Sequence, residues 1–237
     1  MKKTIIAFLL FSYNIIFTQS GKVIFEAELL KEKIIEKGKP TELDSQLSKI
    51  INNQKKVKYL LEFNKLESIF YNLERLYKEE RKLNLVKILI GKGKYYYSKD
   101  SEKFLHQNEF LGELFLIEKD KSSWEITQEK KKIGKYICFK ATTKKVIQTR
   151  RGKSEINIIA WFTPELPYNF GPKDYNGLPG LILELQEDKL LIKVKEINIS
   201  FDDEIKVNRP KKGINVSEKQ YDSIVKKIVT NRKKNRY

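Results

Sequence analysis

Apolar and polar residues alternate with a period of two over many short stretches of the chain, the spacing that sends successive side chains to opposite faces of a strand. Val23, Phe25, Ala27 and Leu29 share one face of the first stretch, and Val57, Tyr59, Leu61 and Phe63 one face of the second. Similar segments at Leu85 to Ile90, Lys94 to Ser98, Phe104 to Phe110, Phe115 to Glu118 and Trp124 to Thr127 predict further strands. So do Tyr136 to Ala141, Ile156 to Phe162, Leu181 to Leu185 and Leu190 to Ile199. Many short strands in series imply a mainly β (α+β) protein built on an antiparallel meander, curved or forming an open half-barrel.

Helical spacing is rarer. Ser217 and Gln220 stand three apart as in a capping box, and Tyr221, Ile224, Val225, Ile228 and Val229 make one apolar stripe after them. The stripe needs a partner surface, and the open face of the sheet supplies one. Leu43, Leu47, Ile50 and Ile51, entered through Pro40 and Thr41, predict one short helix in the N-terminal half. Leu66 to Tyr77 fits either helix or strand by periodicity alone, with Ser68 to Asn72 the candidate strand.

The first residues change the picture of where such a sheet would work. Lys2 and Lys3 precede a mostly apolar run, Thr4 to Phe17, and then the small or polar residues Thr18 to Gly21. This is the pattern of a secretory signal peptide. Ser12, Tyr13 and Asn14 interrupt the run, which is shorter than the roughly 20 residues of a membrane span. A signal peptide over 1–20, a single β-rich domain over 21–230 and a basic tail over 231–237 are the expected organisation. The mature chain is expected to be exported, to the periplasm or the outer-membrane surface, and to be monomeric and not membrane-spanning.

The net charge of +17 invites a nucleic-acid reading, but lysines outnumber arginines 41 to seven. Planar bidentate contacts to phosphates and bases favour arginine, so specific nucleic-acid binding is not expected. Cys138 is the only cysteine, which excludes an intramolecular disulfide, and its apolar flanks predict a buried, inert thiol. With His106 the only histidine, the common zinc and copper ligand sets cannot be assembled within one chain, and no cofactor is implied. Alternation places His106 on a strand as a hydrogen-bonded sheet residue.

Four of the six prolines, Pro164, Pro167, Pro172 and Pro179, crowd into one segment with Gly171, Gly177 and Gly180. Fixed φ at proline and free φ at glycine make this a shaped loop between strands, with Pro179 and Gly180 suited to a type II turn. Trp161, Phe162, Tyr168, Phe170 and Tyr175 lie in or beside it. That aromatic density either packs the loop onto the sheet or presents a recognition surface.

The segments WFTPELP, FGP and GLPGLILEL, preceded by WEI and IGKYICFKAT, resemble the GLPGLI family. Its motif stands intact as Gly177, Leu178, Pro179, Gly180, Leu181 and Ile182, with Gly171 and Pro172 shortly before it. The resemblance extends from Gly21 to the helix after PKKGINVS. It implies an exported protein of a Gram-negative bacterium, favours strand in the ambiguous Leu66 to Tyr77 region, and carries no catalytic residues.

Two functions fit these observations. Scarce catalytic residue types, plentiful strand edges and an aromatic loop point to a non-enzymatic binding protein of the cell envelope. Its partner would be a peptide, an apolar small molecule, or an outer-membrane or other envelope protein. The alternative is a carboxylate-dependent hydrolase using Glu165, Asp174 or Glu184 around the loop.

Overall fold

The computed structural model of the chain describes residues 20–30, 55–73, 84–149, 152–200 and 205–234. In chain order the strands begin with β1 (Ser20–Leu29), β2 (Val57–Phe63) and β3 (Glu67–Asn72). Helix α1 (Leu85–Ile90) then precedes β4 (Lys94–Ser98), β5 (Lys103–Phe110) and β6 (Glu113–Lys119). Next come β7 (Glu125–Ile133), β8 (Tyr136–Thr149), β9 (Gly152–Thr163), β10 (Leu181–Glu187) and β11 (Leu190–Ser200). The last elements are β12 (Ile214–Ser217) and helix α2 (Glu218–Lys234).

All twelve strands form one open sheet in the order β12-β6-β5-β4-β3-β2-β1-β11-β10-β9-β8-β7. It consists of two meanders joined by an antiparallel pairing of β1 with β11. The alternation read from β1 holds, with Val23, Phe25 and Ala27 on the buried face. Side chains of both meanders share one apolar core, in which Phe25, Phe63 and Tyr97 meet Ala160, Phe162, Leu183 and Ile192. A flat sheet would hold these residues apart, so the sheet curves around this face. Each fully buried phenylalanine contributes on the order of 2 kcal/mol of apolar transfer.

On the opposite face, Ile69, Tyr96 and Leu105 form a smaller cluster with Val207. The segment 205–213 thus crosses the outside of the first meander, held also by Asn64 Nδ2 donating to the Ile205 carbonyl and Gln107 Nε2 to that of Lys212. It delivers β12 to the edge in parallel with β6, Ile214 beside Phe115. This one pairing departs from the all-antiparallel expectation, because the chain arrives by a crossover rather than a hairpin.

Other differences are local. Leu85 to Ile90, expected as a strand, is the short helix α1: Asn84 Oδ1 caps it by accepting from Val86 and Lys87 N–H groups, and Gly91 at φ +87° ends it. The apolar run looked like a strand, but the Asn before and Gly after it are helix punctuation. Strands β7, β8 and β9 run well beyond their apolar cores, because their outer halves carry lysine, threonine and glutamate where alternation no longer registers. Ser20, assigned to the leader, begins β1, where it is buried and pairs with Ser200. Helix α2 continues to Lys234 and takes in the start of the expected tail. Ser68 to Asn72 is strand, as the resemblance favoured. The expected leader up to residue 19 and the expected helix around Leu43 to Ile51 lie outside the described residues.

Candidate functional site

The loop between β9 and β10 is folded back on itself by its own backbone. Leu166 O accepts from the N–H groups of Tyr168 and Leu181, Asn169 O from Gly177, and Phe170 O from Ile182. Gly180 does not occupy the expected type II turn. Its φ is +156°, and its N–H donates to Leu178 O, two residues back, in a tighter turn around Pro179. Glycine is required there for a second reason: a Cβ would stand 2.2 Å from the Thr163 carbonyl oxygen, so β9 and the loop touch backbone to backbone.

The loop aromatics point inwards. Phe63 of β2 packs against Tyr168 at 4.6 Å and Phe170 at 5.6 Å between ring centroids, and Tyr97 of β4 reaches Phe170 at 6.2 Å. Tyr175 lies against Trp124, whose indole N–H donates to the Asn176 carbonyl. Phe162, Tyr168, Phe170, Tyr175, Leu178, Leu181 and Ile182 are all buried, and the loop therefore plugs the space enclosed by the curved sheet. Of the five aromatics, Trp161 alone is not fully buried, with the Lys131 ammonium 4.2 Å from its ring centroid.

The plug also carries charge. Lys173 is buried although its backbone is left-handed at φ +56°, a conformation that disfavours a residue with a Cβ. Its ammonium is held by Glu187 of β10. The neighbouring Asp174 Oδ2 faces Lys145 of β8 at 3.5 Å and Lys119 of β6 at 3.8 Å. Lys145 also lies 3.5 Å from Glu187, and Lys119 pairs with Glu218 at the start of α2. Three lysines and three carboxylates from both meanders, the loop and the helix converge on a cavity of about 220 Å³. Its remaining wall includes Leu89 and Ile90 of α1, Ile117, Ile147 and His106.

Electrostatics hold Asp174, Glu187 and Lys145 ionised. Burial works to raise the Asp174 pKa, but Lys145, Lys119 and Lys173 outweigh it and keep the carboxyl well below the usual range. Burial likewise disfavours the charged form of Lys145, and Asp174, Glu187 and Glu218 reverse that, leaving its pKa raised. Asp222, one turn along α2, is different: burial and the nearby Glu218 both push its pKa up. His106 is neutral, its pKa lowered by burial to about 4. Its Nε2–H donates to the Lys92 carbonyl, which makes it the sheet histidine read from the alternation. Cys138 is buried, and burial raises its thiol to about 11.

The structure does not gather Glu165, Asp174 and Glu184 into one set of contacts. Glu165 accepts from the Ile137 N–H, Glu184 pairs with Lys131 and Lys193, and only Asp174 reaches the cavity. Sequence reasoning missed Lys119, Lys145, Lys173, Glu187 and Glu218. Among so many lysines none stood out, although Lys173 and Asp174 at the centre of the proline- and glycine-rich loop were a local signal. Among the described residues, no group of three or more His, Cys, Asp or Glu side chains is placed to hold a metal ion.

Comparison with known proteins adds a partial family match and a fold. Residues 124–155 and 148–184 match a family described as "Protein of unknown function (Porph_ging)". The second stretch contains Gly177 to Ile182 and both Lys173 and Asp174. No curated protein matches the chain. Two solved structures, PNGF-II in a C2 and in a P21 space group, share its fold at 14% identity, with TM-scores of 0.52 and 0.51. They align with 87% and 86% of this chain, which spans only 32% of each solved chain. Among the described residues, no helix is long and apolar enough to cross a membrane.

Proposed function

We propose that this is an exported, GLPGLI-type binding protein of the cell envelope, acting in the periplasm or at the outer membrane without catalysis. Its ligand occupies the cavity at the meeting of the two meanders. The observation that carries this reading is the buried charge around that cavity. Withdrawing Lys119, Lys173, Asp174 and Glu187 from water is expensive, and apolar side chains would hold the same elements together at least as well. Their convergence on a space of about 220 Å³ is accounted for by a polar ligand. The aromatic plug then serves as scaffold, delivering Lys173 and Asp174 to the wall. Trp161, on the outer face, remains available for a larger envelope partner.

A thermal-shift screen of small polar molecules tests this on the mature protein and on Leu89→Trp, a change at an exposed rim position that obstructs the cavity. The expected result is stabilisation of the parent by at least one chemical class and its loss in the variant. No stabilisation by any class, or equal stabilisation of both proteins, sinks the proposal.

A further inference from the structure

The cavity's charges are not evenly matched. Lys119, Lys145 and Lys173 each face a carboxylate already, and Lys119 and Lys145 face two each. The acids are in excess: Asp174, Glu187, Glu218 and Asp222 all line the wall against three lysines, with His106 neutral. Asp222, exposed where it lines the cavity, has no ion pair among the described residues. The uncompensated charge on this wall is therefore negative, and a carboxylate without a counter-charge is a strong acceptor for an ammonium donor. Beside it stand the apolar side chains of Leu89, Ile90, Ile117 and Ile147, suited to an alkyl segment, and the Tyr221 ring, suited to a cation.

Building on the binding reading, we propose that the cavity takes a small organic cation, a primary ammonium compound with a short alkyl body, its ammonium directed at Asp222. The overall charge of +17 does not oppose this at close range. Solvent-exposed charges are screened over about 8 Å at physiological salt, so the local acid excess decides what enters.

Butylamine, butanol and butyrate separate charge from shape, since they share one carbon skeleton. Titration calorimetry and amide chemical shifts are measured on the parent, Asp222→Asn and Leu89→Trp. Asp222 is exposed, so its amide variant is expected to fold. The expected result is that butylamine binds the parent, moves the resonances of Tyr221 and His106, and binds Asp222→Asn about tenfold more weakly, the worth of one charge-assisted hydrogen bond. Binding of butyrate or butanol in preference to butylamine, abolished in Leu89→Trp, overturns the cationic ligand while leaving a binding cavity in place. Butylamine affinity unchanged in Asp222→Asn overturns the cationic assignment as well. Absence of binding by all three overturns this proposal, and the broader screen then decides whether the cavity binds anything.

Discussion

The imidazole of His106 lies flat on the ring of Tyr95, with centroids 4.0 Å apart and 6° between the planes. Both are buried in the wall of the cavity, and the Tyr95 hydroxyl donates to the Ile90 carbonyl at the end of α1. Stack and hydrogen bonds together tie α1 to the first meander, and burial holds His106 in its neutral form.

A pH dependence follows from that burial. Because the folded-state pKa is depressed from 6.5 to about 4, the unfolded chain binds the proton more readily between those values. The contribution of His106 to stability is complete above pH 6.5 and is lost as pH falls through this window, by about 3 kcal/mol. Urea unfolding from pH 7 to pH 4 should show this loss in the parent. His106→Phe, which keeps the stack, should be less stable at pH 7 yet fall less steeply; parallel curves would contradict the assignment.

Lys145→Met should destabilise the fold by about 2 to 4 kcal/mol, since it leaves Asp174 and Glu187 beside one another with fewer counter-charges. Denaturant midpoints report it. A change under 1 kcal/mol would place the cluster in water rather than in the interior.

Gly180→Ala brings a Cβ within 2.2 Å of the Thr163 carbonyl oxygen. The backbone of β9 or of the loop must move, at a cost of about 2 kcal/mol or more, the scale of overpacking. The melting temperature should drop by about 4 °C or more. Gly134→Ala is the control, because its Cβ would meet nothing within 4 Å although its φ is also positive.

Cys138 should resist thiol reagents in the folded state, its thiol being enclosed and raised to about 11. Labelling should become complete in denaturant. Fast native labelling would place the β8 start at the surface.

Ser20 sets a boundary that export can test. A chain beginning at Gly21 loses the first β1 pairing, with Ser200, so a chain beginning at Gln19 should be more stable by about 1 kcal/mol. Equal midpoints would make that pairing dispensable.

Much of the sheet was legible because apolar and polar residues largely alternate in β1 and β2, as at Phe25, Glu26 and Ala27, and because β10 opens on the apolar run Leu181, Ile182 and Leu183. The legibility failed where burial ceased: the outer halves of β8 and β9 carry Lys144, Lys153 and Glu155, whose pattern resembles a solvated loop. The parallel placement of β12 depends on the path of 205–213 over Ile69 and Leu105, which no local pattern encodes. The loop was visible through its prolines and glycines, yet its orientation was not, since an aromatic side chain packs or protrudes without changing its spacing. Of the cavity's charged residues, Asp174 alone was singled out. Lys119, Lys145 and Glu218 lie far apart in sequence, and only the curvature of the sheet brings them together.

That convergence has a consequence for the order in which the protein is completed. Strands β1 to β6 are synthesised well before α2, and a meander of neighbouring strands forms from local contacts. Lys119, at the end of β6, gains Asp174 only after the second meander and its loop have closed, and Glu218 only when the final helix docks. The cavity is thus a late-assembled chamber. An incomplete chain has a sheet but no chamber, and the proposed ligand would select molecules that have finished folding.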